Sequence, residues 1–194
     1  MKFPVITISI SIILVGLLLI YGAMPNALIW QQSSPISWQL ITSHFAHISN
    51  EHMLWNLVAF ILLAFVIEQH SIARLFTSII VGCAFVSFYL VFLFKLPAYA
   101  GLSGALNTLL VVALYEIAKK VKYRKAALLC FSASIAKIVF EWSNESALFS
   151  SLEWPGVPAA HLAGLLGGIC YCLFINKNDQ LFSFDQLKPK QTFT

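Results

Sequence analysis

The chain has 194 residues, of which 59% are hydrophobic and 10% are charged, and its mean hydropathy is +0.83. This composition excludes an ordinary soluble domain and indicates that a lipid bilayer is the solvent of the chain. The net charge of +4 does not indicate a nucleic-acid partner, because the basic residues lie where membrane topology places them.

Six apolar runs are long enough to be membrane spans. We number them span one to span six in chain order, and they cover about residues 4–22, 52–68, 72–94, 103–117, 126–141 and 158–175. Span one follows Lys2 and could be read as a signal peptide, but its apolar run is long and no convincing cleavage site follows it. The sequence therefore predicts an all-α membrane protein with a six-transmembrane-helix bundle.

Most basic residues lie at one end of these spans. Five form a cluster between spans four and five, and three others flank spans one, two and six; they are Lys119, Lys120, Lys122, Arg124 and Lys125, then Lys2, Arg74 and Lys177. The segments 23–51 and 142–157 contain neither lysine nor arginine. Because basic loops stay on the cytoplasmic side, we expect both termini in the cytoplasm and no nucleic-acid partner.

Span two brings polar groups into the membrane. His52 and Asn56 are four residues apart and share one helical face. An asparagine alone most often joins two helices, whereas an ionisable intramembrane residue favours a functional site. His44, His47 and His52 could suggest a metal site, but their spacing is not HExxH. Since we expect His44 and His47 at the wet interface, we predict no metal and no cofactor.

Span four is short and begins with an unusual sequence. Only 16 residues separate Ser103 from Lys119, roughly 24 Å of helix, whereas the hydrocarbon core is about 30 Å thick. The helix would then begin below the outer surface, and residues 95–102 would enter the protein as irregular backbone, which usually marks a functional site. Gly101 and Gly104 would allow a sharp turn and close helix packing.

Span five and the loop after it leave alternatives open. Lys137 and Glu141 are four residues apart near the outer end of the span. They could form an ion pair at a lateral gate, or an ordinary pair at the membrane surface. The segment 142–157 could be a mobile lid over a cavity, or a plain connecting loop.

Span six carries His161, which is also 16 residues before a basic residue, Lys177. Spans four and six run in the same direction, so Ser103 and His161 are expected at the same depth, in the outer third of the membrane. Gly164 and Gly168 form a GxxxG pattern that would let span six pack closely against span four.

A serine beside a histidine at this depth predicts nucleophilic catalysis, since a serine hydroxyl is weak until a base takes its proton. Both aspartates, Asp179 and Asp185, lie in the C-terminal tail, so we expect a Ser–His dyad. The tetrahedral intermediate would need hydrogen-bond donors, and His52, Asn56 and the backbone N–H of Ser103 could supply them. A serine between glycines is, without such context, more often a packing residue.

These residues resemble the rhomboid family of intramembrane serine proteases, from about Trp38 to Gly168. The resemblance rests on three motifs in the family's order: His47-x4-His52-x3-Asn56, Gly101-x-Ser103-Gly104 and Ala160-His161-x2-Gly164. It implies a rhomboid-like six-helix membrane domain over residues 1–176, with a cavity open to the outside, and a short cytoplasmic tail over 177–194.

The resemblance also implies roles. Ser103 would be the nucleophile, His161 the general base and acid, and His52, Asn56 and the Ser103 backbone the oxyanion stabilisers. Residues implied to support the site are Gly101, Gly104, Asn107, Gly164 and His47, while Glu68 and Trp38 resemble a structural glutamate and a first-loop tryptophan.

Two positions depart from the family pattern. Gln39 follows Trp38 where the family often has an arginine that anchors the first loop. Asn107 occupies the position of a tyrosine that stacks on the catalytic histidine in the common rhomboids. Some other contact must therefore orient His161, and Asn107 could offer a hydrogen bond.

The small size, the short loops, the YAGLSG sequence and the missing tyrosine resemble the rhombosortase branch. Those bacterial enzymes process secreted proteins that end in a Gly-Gly motif, a single helix and a basic tail. The resemblance implies a serine endopeptidase of the bacterial inner membrane that opens to the periplasm and cleaves a membrane-anchored protein at a helix-breaking segment, by hydrolysis or transpeptidation. Alternatives are a general rhomboid protease, an inactive client-binding protein, or a small transporter or scaffold.

Overall fold

A computed structural model describes residues 3–21, 27–33, 37–93, 97–144 and 157–186. Helices dominate this part of the chain. In order, the elements are α1 (Val5–Tyr21), β1 (Trp30–Gln31), α2 (Gln39–Thr42), α3 (Asn50–His70), α4 (Ile72–Phe92), β2 (Ala98–Tyr99), α5 (Ser103–Ala118), a 3-10 turn (Val121–Tyr123), α6 (Arg124–Asn144) and α7 (Pro158–Gln186).

Each of the six predicted spans coincides with one helix, and the ends differ by at most three residues except at the end of α7. Within the described ranges, four helical segments are long and apolar enough to cross a membrane: Asn50–His70, Ile72–Phe92, Val121–Asn144 and Pro158–Asn176. Two shorter apolar helices, Val5–Ile20 and Ser103–Ala118, complete the bundle. The helical bundle of a multi-pass membrane protein is thus confirmed, and the crossing of all six helices stays a prediction.

The last helix is longer than expected. α7 continues to Gln186, ten residues past the predicted end of the membrane domain at residue 176. No proline or glycine occurs between residues 177 and 186, so nothing in this sequence breaks the helix. Residues 187–194 lie outside the described part of the chain, and the division into a domain and a tail stays a prediction.

α5 is the central helix of the bundle, and it packs against α3, α4, α6 and α7. It is apolar around most of its circumference, as a helix enclosed by others must be, and its buried residues include Ala105, Leu109, Val112 and Ala113. The short span four of the sequence is therefore α5, the most enclosed of the described helices. Ser103 is the first residue of α5, so the helix begins inside the bundle.

A short antiparallel ribbon, which the sequence did not predict, leads the chain into α5. Trp30 of β1 pairs with Tyr99 of β2, and both side chains are buried. The Tyr99 hydroxyl donates a hydrogen bond to the Gly101 carbonyl over 2.8 Å. Ala100 and Leu102 are buried as well, so the expected entry of irregular backbone into the protein is confirmed for residues 100–102.

The end of the bundle opposite Ser103 is held by buried carboxylates. Glu68 at the end of α3 accepts hydrogen bonds from the backbone N–H groups of Ile6 and Thr7, over 2.9 and 2.8 Å, and from the Thr7 hydroxyl over 2.6 Å. A carboxylate at this place satisfies free N–H groups of the first turn of α1 and complements the helix dipole. Glu116 of α5 pairs with Arg74 and Lys119.

Candidate functional site

A glycine with a positive φ sets the start of α5. Gly101 has a φ of +134°, a conformation that residues with a Cβ avoid. Its N–H donates to the Ser43 carbonyl over 2.8 Å, and a Cβ added here would lie 2.7 Å from Cε1 of His52. Only glycine fits, and it places the His52 ring against the turn that precedes Ser103.

Ser103 and His161 meet although 58 residues separate them. Nε2 of His161 lies 3.1 Å from Oγ of Ser103. Ser103 is half-buried and His161 is only 8% exposed. A serine in hydrogen-bond contact with a desolvated imidazole is the arrangement that general-base activation of a nucleophile requires.

Glycines bring the two helices together. A Cβ on Gly164 would lie 1.8 Å from the carbonyl oxygen of Gly104, and a Cβ on Gly168 would lie 2.7 Å from Cβ of Val111. The Thr108 hydroxyl donates to the Gly164 carbonyl over 2.6 Å, which adds a polar tie between α5 and α7. The close packing predicted from the GxxxG pattern is confirmed.

Glu141 is the third group at this site, and the sequence analysis missed it there. Its Oε2 lies 3.1 Å from Nδ1 of His161, on the side of the ring opposite Ser103. Its Oε1 accepts a hydrogen bond from Nζ of Lys137 over 2.6 Å. Glu141 is only 3% exposed, so the interpretation of Lys137 and Glu141 as an ordinary surface pair is wrong.

A signal for Glu141 was present in the sequence. An ionisable residue inside a membrane span indicates a functional group by default, because its burial is costly without a partner. We expected a Ser–His dyad because both aspartates lie in the tail, but a glutamate can also be the third member of a catalytic triad. The helical spacing of Lys137 and Glu141 gave their pairing, but the rotation of α6 that turns the carboxylate towards His161 depends on long-range packing. A lateral gate at this pair stays a prediction.

Two polar side chains of α3, those of His52 and Asn56, each have a buried nitrogen without a hydrogen-bond partner among the described residues. Asn56 is 6% exposed, and neither its Nδ2 nor Nδ1 of His52 has a hydrogen-bond partner among the described residues. The backbone N–H of His52 donates to the Ser49 hydroxyl over 3.1 Å, which caps the helix and fixes its start. Buried polar atoms without partners are rare in proteins and call for an explanation such as a catalytic role.

His44 and His47 are buried, so their expected position at the wet interface is wrong. Nε2 of His44 lies 2.9 Å from the Ser87 hydroxyl, and burial lowers the pKa of His44 to about 4. The His47 ring meets the His52 ring edge-on at 5.3 Å between centroids. Burial, and then the nearby His52, lower the pKa of His47 to about 4. We therefore expect both rings to be neutral at physiological pH, and the support of the site by His47 stays a prediction.

Asn107 does not replace the stacking tyrosine through its amide donor. Its Nδ2 donates to the carbonyl oxygen of Ser103 over 2.9 Å, within α5. Gln39, at the position of the first-loop arginine, accepts from the Ser37 hydroxyl over 3.0 Å. Trp38 beside it is 58% exposed.

The described residues contain no group of three or more histidine, cysteine, aspartate or glutamate side chains that could hold a metal ion. An apolar cleft of about 360 Å³ lies between α6 and α7 next to the site; its lining is Ile135, Ile138, Val139, Trp142, Ser143, Leu162 and Leu165. Of the segment 142–157 considered as a lid, residues 145–156 lie outside the described ranges.

Comparison with known families assigns most of the chain. The family model of the rhomboid domain matches residues 35–178, a region that includes every polar residue of the site described above. A search of curated proteins finds no match.

Proposed function

The chain belongs to the rhomboid family, a family that includes intramembrane serine proteases, and we propose that it is an active protease in which Ser103 attacks and His161 transfers the proton. The observation that carries this proposal is the 3.1 Å contact between Oγ of Ser103 and Nε2 of His161. A packing serine or an inactive client-binding protein would not need a buried base in contact with the hydroxyl.

The chemistry proceeds in two steps. Oγ of Ser103 attacks the carbonyl carbon of the scissile peptide bond, while Nε2 of His161 takes the hydroxyl proton. His161 then gives this proton to the leaving amine, and an acyl-enzyme remains on Ser103. Water, or an amine acceptor if the enzyme also transfers, then attacks the ester carbonyl carbon while Nε2 of His161 takes its proton. His161 returns this proton to Oγ of Ser103 as the ester C–O bond breaks, which releases the acyl product and regenerates the serine.

The unpaired side chains of α3 support an oxyanion hole. The tetrahedral intermediate places negative charge on the former carbonyl oxygen, and donors already oriented towards it stabilise that charge most strongly. Asn56 has an unpaired buried amide, and His52 lies against Gly101, two residues before Ser103. We assign both as oxyanion donors together with the backbone N–H of Ser103.

The substrate would enter from the membrane between α3 and α6. α6 packs against α5 and α7, whereas close packing between α3 and α6 is absent from the described part of the chain. A substrate helix with a helix-breaking segment could unwind there and bring a peptide bond to Ser103. The apolar cleft between α6 and α7 offers room for a hydrophobic side chain next to the scissile bond.

We further propose that the enzyme is of the rhombosortase type and removes Gly-Gly C-terminal sorting tails in a bacterial inner membrane. Support comes from the YAGLSG sequence that leads into α5 and from Asn107 at the position of the stacking tyrosine. Both termini would be cytoplasmic, and the active site would open to the periplasm, as the distribution of basic residues predicts.

The test is a cleavage assay in proteoliposomes with two substrates. One carries a Gly-Gly motif, a single helix and a basic tail, and the other differs only in having Val-Val for Gly-Gly. We expect the wild type to cut the first substrate faster, the Ser103→Ala variant to cut neither, and Ser78→Ala, a buried serine of α4 outside the site, to behave as the wild type. Equal cutting of both substrates would contradict the rhombosortase type and support a general rhomboid protease. Binding of the substrates without cutting would support the inactive client-binding alternative.

A further inference from the structure

We propose that Glu141 is a positioning residue for catalysis, which holds His161 from the side opposite Ser103 and fixes the tautomer that can accept the serine proton. The inference rests on the proposed function, since it assigns a role in the same reaction. It turns the expected dyad into a chain of three groups, Ser103, His161 and Glu141.

The geometry places the imidazole between two partners. Nε2 of His161 is 3.1 Å from Oγ of Ser103, and Nδ1 is 3.1 Å from Oε2 of Glu141. The ring is therefore held at both nitrogens, and rotation about its side-chain bonds would break both contacts. A base that is fixed in this way spends more time in the orientation that reaction requires.

The chemistry of the partners fixes the proton. An ionised carboxylate only accepts hydrogen bonds, so Nδ1 of His161 must carry the hydrogen that points at Glu141. The other nitrogen, Nε2, then presents its lone pair to the Ser103 hydroxyl, which is the state that a general base needs. When Nε2 takes the proton, the charge of Glu141 lies next to the imidazolium and stabilises it.

Lys137 maintains Glu141 in the state that this role needs. A carboxylate buried to 3% exposure is costly to keep ionised unless a cation and hydrogen bonds compensate for lost water. Nζ of Lys137 lies 2.6 Å from Oε1, the oxygen that does not face His161. Each oxygen of Glu141 therefore has its own donor, and the carboxylate plane is fixed.

The same contacts explain how the site functions with Asn107. Its amide nitrogen is engaged with the Ser103 carbonyl one turn earlier in α5. Glu141 instead supplies the orienting contact, from α6 rather than from α5. An aromatic stack and a carboxylate hydrogen bond are different solutions to the same requirement, a fixed imidazole beside the serine.

The test measures the rate of covalent modification of Ser103 and the tautomer of His161 on the full-length protein. A fluorophosphonate probe, which phosphonylates the serine oxygen with loss of fluoride, gives the maximal modification rate, kinact, and the probe affinity, KI, for wild type, Glu141→Gln, Glu141→Asp and Lys137→Gln. Selective 15N labelling of histidine reports which ring nitrogen of His161 is protonated, with His161→Ala to assign its signals. Glu116→Gln is the matched control, since it removes another buried carboxylate paired with a lysine, Lys119, about 20 Å along α5 from Ser103.

We expect Glu141→Gln to lower kinact by about 10²-fold or more while KI stays unchanged, as general-base catalysis contributes at this scale. Glu141→Asp should retain much of the rate because it keeps the charge. Lys137→Gln should give an intermediate loss of kinact, and this variant tests the inference if Glu141→Gln does not fold. The wild type shows His161 protonated at Nδ1, and this preference is lost in Glu141→Gln. Glu116→Gln lowers the melting temperature without changing kinact or the tautomer.

A wild-type kinact and tautomer in folded Glu141→Gln would overturn the inference and leave the proposed function intact. Equal losses in Glu141→Asp and Glu141→Gln, in proportion to lost stability and with an unchanged tautomer, would reduce Glu141 to a structural residue. A folded wild type that the probe does not label would contradict the proposed function instead, and the inference, which rests on it, would fall with it.

Discussion

Gly164 of α7 lies against Gly104 of α5 so closely that a Cβ on Gly164 would be 1.8 Å from the Gly104 carbonyl oxygen. This contact is adjacent to the pair formed by Ser103 and His161, because Gly104 directly follows Ser103 and Gly164 lies three residues after His161. The distance between the hydroxyl and the imidazole is therefore set by backbone contact between two helices, and not by the side chains alone.

Gly164→Ala should separate α5 from α7 and lengthen the contact between Ser103 and His161. We expect a lower melting temperature in detergent and a loss of probe labelling, because backbone atoms cannot move away as a flexible side chain would. Gly16→Ala is the matched control, since a Cβ there meets nothing within 4 Å. It should keep activity and gain up to about 1 kcal/mol in helix propensity. A Gly164→Ala variant that is as stable and active as the wild type would contradict the packing account.

Asn56→Ala should separate activity from stability. The variant loses a proposed oxyanion donor, so the acylation rate should fall by about 10²-fold. Its melting temperature should stay close to that of the wild type, because the substitution also removes a buried amide whose Nδ2 has no partner among the described residues. Asn144→Ala, at an exposed asparagine at the end of α6, is the control for both measurements. Unchanged acylation in Asn56→Ala would remove this residue from the oxyanion hole.

Glu68→Gln should destabilise the bundle without removing the active site. Glu68 accepts three hydrogen bonds from the first turn of α1, and such bonds to a charged group contribute about 1.5–3 kcal/mol each to stability before compensation. We expect a lower melting temperature and normal labelling at low temperature. The control is Ser11→Ala, whose hydroxyl bonds only within α1 to the Thr7 carbonyl. An undiminished melting temperature for Glu68→Gln would show that α1 does not depend on this cap.

Stability should fall as the pH falls from about 6.5 to about 4. Burial lowers the pKa of His44 and His47 to about 4, so the folded protein binds fewer protons than the unfolded chain in this range. Protonation of the unfolded state then favours unfolding, by up to about 3 kcal/mol for each histidine. The melting temperature across this range measures the effect, and His44→Gln should reduce the slope because glutamine does not titrate. The same slope in both proteins would exclude His44 as a source.

The sequence was sufficient for features that depend on spacing along one helix. Counting from Ser103 and His161 to the next basic residues gave their common depth, and the small residues around Gly164 gave the contact of their helices. It was not sufficient for features that depend on the rotation of one helix against another. Glu141 faces inward because α6 packs on α5 and α7, and no local pattern fixes that rotation.

Short elements and loop burial were also beyond the sequence. β1 and β2 have two residues each, too few for an alternating pattern to appear. His44 and His47 precede α3 in a loop, yet both are buried. His44 contacts Tyr99 of the ribbon and Ser87 of α4, and His47 contacts the His52 ring.

The most direct measurement of the central claim is the site of covalent modification by a fluorophosphonate probe, mapped by mass spectrometry on the purified full-length protein. The account predicts a single adduct on the peptide that contains Ser103, and none in folded Ser103→Ala or His161→Ala. A folded wild type without an adduct, or labelling that persists in Ser103→Ala, would contradict the claim that Ser103, activated by His161, is the nucleophile.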